Sequence, residues 1–270
     1  MSIMSTVAII AAKGNSRRIA RKNMIDIGGR PLFAWSVIQA KHSHLVDRVY
    51  VTTDDQEIAG EAARLGARVI WRPVLHWDVS GRFVIGQAID TALSDGDFDV
   101  IVSLLPTNPL RMPYDIDMMV RMYHAKQGPR RVINSLIMQH EVMLVKLEED
   151  DSGMLVLGDK GARYGILAGG TAICSRQRYQ EEASGPIFDS ETDAGIVGHA
   201  GKPQPEVFNY LMEWWQQFEV DLLEHIPIVD FCMRRYVLTM PDIYERYGAQ
   251  DLIGNHNKEI RRDDGNDNQD

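Results

Sequence analysis

The chain has 270 residues, a formal net charge of -9, 44% hydrophobic residues and 25% charged residues. That length buries a large core and fits one α/β domain with an insertion, and the composition is ordinary for a globular protein. Acidity without a long basic stripe speaks against a nucleic-acid partner, and the apolar runs are strand-sized, too short to cross a membrane.

Met1-Ser2-Ile3-Met4 carries neither a basic region nor a signal-peptide core, which predicts a cytoplasmic chain. Val7-Ala8-Ile9-Ile10-Ala11-Ala12 reads as a buried strand. It leads into Lys13-Gly14-Asn15-Ser16-Arg17-Arg18-Ile19-Ala20-Arg21-Lys22, with five positive charges and no acid. A basic, glycine-containing loop leaving a buried strand is where α/β folds hold nucleotide phosphates. It is neither common fingerprint: Gly14 lacks the later Gly-Lys-Ser/Thr of a P-loop, and the closely spaced glycines of a dinucleotide loop are missing.

Further along, Pro31 to Ala40 predicts a helix and Arg48-Val49-Tyr50-Val51-Thr52 a strand. Asp55 to Leu65 has helical period, with Ile58, Ala62 and Leu65 on one face and Gly66 at the C-terminal cap. Ala67 to Ile70 predicts a strand, Arg82 to Leu93 a helix, and Asp99 to Leu105 a third long strand. Tyr114 to Ala125 is a helix opened by Pro113. This alternation predicts an α/β fold with a doubly wound, mostly parallel sheet and its sites at the carboxyl ends of strands. The basic loop, Asp54-Asp55 and Pro106 to Arg111 all fall at such ends.

Residues 132–173 read as strand-rich, with a turn at Asp150-Asp151-Ser152-Gly153. From about Pro205 to about residue 250 the chain is expected to be helical, through Phe208 to Trp215. The adjacent Trp214 and Trp215 cannot share one helix face: one packs inward and the other meets a partner subunit, or both are partly buried in the core. Residues 1–255 form one expected domain and 256–270 a polar, disordered tail. Cys174 and Cys232 have no metal-ligand spacing and read as buried thiols in a reducing compartment.

The basic loop resembles the signature of the CMP-sialic acid synthetase (acylneuraminate cytidylyltransferase) family, Ile-Pro-Ala-Arg-Gly-Gly-Ser-Lys-Arg-Ile-Pro-Arg-Lys-Asn followed by Gly-Lys-Pro-Leu. Here Ile10 to Asn23 and Gly29-Arg30-Pro31-Leu32 stand in those places. Thr53-Asp54-Asp55, Arg72-Pro73 with Asp78, and Pro106-Thr107-Asn108-Pro109-Leu110-Arg111 match later family motifs in order. The resemblance covers about residues 5–125, weakens toward Ile173 and fades beyond it.

The resemblance implies a Rossmann-like nucleotidyltransferase fold whose β-rich excursion meets a second copy in a homodimer. It implies attack by a sugar-acid hydroxyl on the α-phosphate of CTP, with loss of pyrophosphate and help from Mg2+. Arg18 and Lys22 match phosphate-binding residues, and Lys13 stands where most members have arginine. These three are the expected catalytic cations. Gly14, Asn15, Ser16, Asn23, Arg72, Ser80 and Leu105 complete the expected nucleotide site, with Leu105 replacing the family's glutamine. Pro106, Thr107, Asn108, Arg111, Gly169 and Gly170 are the expected acceptor side, where two glycines allow close backbone approach.

Family members also carry a late Asp-Ile-Asp-Thr-x-x-Asp segment whose first two acids hold magnesium. Aligned to Tyr236-Val237-Leu238-Thr239-Met240-Pro241-Asp242, it puts Tyr236 and Leu238 at the two ligand positions, and neither is a hard oxygen anion. Asp54, Asp55 and Asp230 are then the candidates for a rebuilt metal site, with Asp54 or Asp55 alternatively capping the next helix. Three readings stay open: a cytidylyltransferase with a rebuilt metal site, the same chemistry on another nucleotide or acceptor, or a non-catalytic homologue that binds nucleotide or partners an active synthetase.

Overall fold

The computed structural model describes residues 5–74, 79, 81–128, 131–139, 143–147, 153–157, 164–183 and 206–239. The elements follow in the order β1 (Thr6–Ala11), β2 (Asp26–Ile27), β3 (Arg30–Pro31), α1 (Leu32–His42), β4 (Arg48–Thr53), α2 (Gln56–Arg64), β5 (Arg68–Trp71) and α3 (Gly81–Leu93). Then come β6 (Val100–Leu104), α4 (Pro113–Ala125), β7 (Arg131–Gln139), β8 (Met143–Leu147), β9 (Gly153–Leu157), β10 (Tyr164–Ser175), α5 (Arg176–Ala183), β11 (Glu206–Leu211) and α6 (His225–Cys232).

Seven strands form one sheet in the order β11-β7-β10-β6-β1-β4-β5. All neighbours are parallel except β10, which is antiparallel to both β6 and β7. The strand period sends alternate residues of β1 to opposite faces. Ala8 and Ile10 pack with Phe33 and Val37 of α1 and Met119 of α4, while Val7 and Ile9 pack with Ile85 and Ile89 of α3. Both faces are covered, which is why β1 and β6 read as continuous apolar runs. β1 lies between β4 and β6, where the strand order reverses, so the loops after β1, β4 and β6 open onto one crevice.

Two expectations are corrected. Residues 132–173 are not one separate excursion: β7 and β10 belong to the main sheet, and the β8–β9 pair alone forms its own two-stranded sheet. The chain after residue 205 does not turn helical at Phe208. Glu206 to Leu211 adds the edge strand β11 in parallel register with β7, followed by a 3-10 turn at Trp214–Gln217. Val207, Phe208 and Tyr210 favour a pleated surface, and pairing with β7 decides the local conformation. Helix appears at α6, which runs into a π-turn at Met233–Val237. The tryptophans divide, Trp215 buried and Trp214 more than half exposed. Among the described residues no helix is long and apolar enough to cross a membrane. The predicted tail lies outside the described residues.

Candidate functional site

The basic loop is shaped by the two aspartates that follow β4. Asp54 Oδ1 accepts the Gly14 N–H at 2.7 Å, and its Oδ2 lies 3.3 Å from Arg72 Nη1. Asp55 Oδ1 caps α2 by accepting the N–H groups of Glu57 and Ile58 at 2.9 and 3.0 Å. Its Oδ2 takes Arg21 at 3.1 Å. Gly14 leaves no room for a side chain, since a Cβ there would stand 2.7 Å from Asp55 Cβ. Asn23, buried at the loop's end, donates to the Lys13 carbonyl at 2.8 Å. The loop is therefore held by its flanks while Asn15 and Arg18 face solvent.

Two buried polar atoms here have no protein partner: Ser16 Oγ and Arg72 Nε. Burial pulls the Arg72 guanidinium below its ordinary value even beside Asp54. Unsatisfied buried donors in and beside a basic loop suit an anionic ligand.

Opposite the loop stands a segment contributed from far along the chain. Lys22 Nζ donates to the Val220 carbonyl and to Asp221 Oδ1, both at 2.9 Å, and Arg18 Nη1 lies 3.5 Å from Asp221 Oδ2. The Val220 N–H donates to the Thr107 carbonyl at 2.9 Å, and Thr107 Oγ1 lies 3.5 Å from Glu219 Oε2. The Glu219 and Asp221 carboxyls thus meet beside Lys22. Burial and the Asp221 charge push Glu219 above its ordinary value. Burial opposes ionisation of Asp221 too, but the hydrogen bond and charge of Lys22, with Arg18, hold it below its ordinary value.

The third wall is the turn after β6. Leu105 is half exposed, and its N–H donates to the Gly170 carbonyl at 2.8 Å. Gly170 has φ +52°, and a Cβ there would collide with Asn108 Oδ1 and stand 2.8 Å from Leu105 Cβ. It occupies the irregular register between Leu167 and Ala172, next to Gly169 in β10. Pro106 and Asn108 are buried and Thr107 half-buried.

Arg111 needs correction as an acceptor-binding residue. Its side chain is wholly buried, with Nη1 on Ser36 Oγ at 2.9 Å and Nη2 on the Leu105 carbonyl at 2.6 Å. Burial pulls its guanidinium down to about 9. It shapes the 105–109 turn from behind and faces no open surface.

The three metal candidates are also corrected. Asp54 and Asp55 spend their oxygens on the loop, Arg72, Arg21 and the α2 cap. Asp230 lies elsewhere, accepting the Gly28 N–H and the Arg234 Nε, both at 2.7 Å. The alignment that put Tyr236 and Leu238 at ligand positions fails as well, because Leu238 is buried in an apolar cluster and Tyr236 stacks on Trp215 at 5.1 Å. The acids that come to the basic loop from far along the chain are Glu219 and Asp221. Their signal is in the sequence, two acids flanking an apolar residue in Phe218-Glu219-Val220-Asp221, an Asp-Ile-Asp-like spacing placed seventeen residues early. Expected helix over that stretch hid it. Ser80 and Asp78 lie outside the described residues.

A divalent ion fits this donor set. Two carboxyls meet, Glu219 being pushed above its ordinary value by burial and then by the Asp221 charge, which is where an added cation is favoured. Among the described residues no three His, Cys, Asp or Glu converge. Mg2+ needs no such cage; it takes one or two carboxylates and completes its shell with water and substrate phosphates.

A family model described as Cytidylyltransferase matches residues 7–152. Pseudaminic acid cytidylyltransferase of Campylobacter jejuni is 34% identical over 111 residues, 40% of this chain and 48% of that protein. CMP-N,N'-diacetyllegionaminic acid synthase of Legionella pneumophila is 32% identical over 117 residues, 42% of this chain and 50% of that protein. The chain thus spans about half the length of these curated relatives. Among solved structures, CMP:2-keto-3-deoxy-manno-octonic acid synthetase complexed with CTP superposes with TM-score 0.63 at 17% identity, covering 86% of this chain and 99% of that one. A cytidylyltransferase from Leptospira borgpetersenii gives TM-score 0.59 at 15% identity, covering 93% and 98%. These structures share the fold.

Proposed function

Because the chain belongs to the cytidylyltransferase family, we propose that it transfers a cytidylyl group from CTP to the hydroxyl of a sialic-acid-like sugar acid and releases pyrophosphate. The observation that carries this reading is the meeting of Lys22 and Arg18 with Glu219 and Asp221 at the crevice above β1 and β6. Displacement at an α-phosphate requires positive charge on the phosphates and carboxylates to hold a cation beside them; both stand here at contact distance.

In this reading Lys22, Arg18 and Lys13 bind the triphosphate, and Gly14 to Ser16 supply backbone and hydroxyl donors. Asn23 keeps the Lys13 peptide in place. Asp54 orients the loop from below and presents Arg72. Leu105 stands on the nucleotide side, and Thr107, Asn108, Gly169 and Gly170 line the acceptor side. Glu219 and Asp221 would hold Mg2+, which neutralises phosphate charge when bound. The ground for a non-catalytic reading was a missing acid pair, and Glu219 with Asp221 removes it. We also propose a cytoplasmic homodimer in which the separate β8–β9 ribbon reaches a second copy.

The test is a thermal-shift panel with CTP, UTP, GTP and ATP, each with and without Mg2+, followed by pyrophosphate release with sugar acids. A ligand at a hundred times its Kd adds about 2.7 kcal/mol. The expected result is a CTP shift that grows with Mg2+ and acceptor-dependent pyrophosphate. A shift with another nucleotide would move the specificity, and no shift with any would overturn the proposal.

A further inference from the structure

Gln216 is 1% exposed, in the 3-10 turn three residues before Glu219. Its amide is fully engaged. Oε1 accepts the Glu213 N–H at 2.8 Å, while Nε2 donates to the Leu110 carbonyl at 3.2 Å and to Asp115 Oδ2 at 2.6 Å. Asp115, in the first turn of α4, also accepts the Met112 N–H at 2.7 Å and the Tyr210 hydroxyl at 3.0 Å. One buried carboxylate therefore ties together the turn after β6, the end of β11 and the segment that carries the acids.

A second tie follows four residues later, where the Val220 N–H meets the Thr107 carbonyl. The strips 107–115 and 213–221 are thereby fixed to each other at two points. A hydrophobic side chain at 216 would fill the same space without specifying register, whereas an amide satisfied on both ends accepts one alignment only. A shift of one residue along this seam would carry Asp221 away from Lys22. Gln216 and Asp115 are both buried.

We propose that Gln216, held by Asp115, is a positioning residue that sets the register of Glu219 and Asp221 against the phosphate loop. It fixes the cation site without touching substrate. This rests on the reading of Glu219 and Asp221 as the cation-holding pair.

The experiment measures Mn2+ binding to the full chain by water-proton relaxation, alongside kcat and KM for CTP. Gln216→Leu should weaken Mn2+ binding by about 10–100-fold, the usual effect of losing a group that orients metal ligands. With metal saturating for the variant, it should lower kcat while KM for CTP stays within about threefold. Asp115→Asn should keep nearly unaltered Mn2+ affinity, because its amide oxygen still accepts from Met112 and Gln216 and its amide donates to the Tyr210 hydroxyl. If Gln216→Leu does not fold, Gln216→Asn serves instead, its shorter amide being unable to reach Leu110 and Asp115 together. A folded Gln216 variant with unaltered Mn2+ affinity would overturn the proposal, leaving Gln216 a fold-stabilising residue. Asp221→Asn separates the two levels: Mn2+ binding that survives it overturns the acid-pair reading, and the positioning role with it. Loss with Asp221→Asn but not with the Gln216 variants overturns positioning alone.

Discussion

Lys22 Nζ and Asp221 Oδ1 stand 2.9 Å apart, a contact between residues 199 positions apart in sequence. The cation proposed for phosphate and the anion proposed for metal are each other's partner. Metal binding at Asp221 would release Lys22 to the triphosphate, so the two ligands should assist each other by about 1–3 kcal/mol, the usual size of a coupling between sites. Calorimetry should find CTP binding tightened by Mg2+. In Asp221→Asn, CTP alone should bind at least as tightly as to the unaltered chain, and Mg2+ should add nothing.

The two cations should not be equivalent. The Lys22 side chain is 13% exposed and that of Arg18 64%. Lys22→Ala should cost about 1.5–3 kcal/mol of CTP binding, the worth of a hydrogen bond to a charged group. Arg18→Ala should cost less than about 1 kcal/mol, as for an exposed ion pair. Equal losses in a titration would contradict this ranking.

Leu238→Asp should destabilise the fold and restore nothing. Leu238 is packed with Met233, Val237 and Trp35. Losing its packing costs about 2–5 kcal/mol before the charge is counted. A lower melting temperature with no gain in Mg2+-dependent turnover is the expected pair of results.

Gly170→Ala tests the wall between nucleotide and acceptor. A left-handed backbone costs a non-glycine residue roughly 1–2 kcal/mol. Here the new Cβ also presses on Leu105 and Asn108. Urea unfolding should show the loss, and KM for the acceptor should rise more than KM for CTP.

The pH dependence of stability should carry the signature of Asp115. Burial pushes its carboxyl above its ordinary 3.8 despite the donors around it. A raised folded value means that its contribution is present below pH 3.8 and is lost as pH rises through the folded value. Asp115→Asn removes that loss. Its stability relative to the unaltered chain should therefore improve with pH across that window, as read from unfolding midpoints at several pH values.

The first half of the fold was legible because its signals are local. Apolar runs gave β1, β4 and β6, and Gly66 and Asp55 bounded α2 as expected. β11 was not, since an edge strand is decided by its partner β7 rather than by its own period. In the candidate site, the basic loop announced itself by charge. Glu219 and Asp221 carry an acid-apolar-acid spacing, but an expected helix hid it, and the contact with Lys22 that gives them their role is not local. Arg111 misled for the opposite reason: its motif matched, but its side chain points into the protein.

The distance along the chain between Lys22 and Asp221 also sets a timetable. At about 5–20 residues per second, a ribosome makes Asp221 roughly 10–40 s after Lys22. During that interval five cations crowd one short loop with no carboxylate from the 219–221 segment to balance them. A nascent chain halted in between should bind polyanions more tightly than the finished protein does.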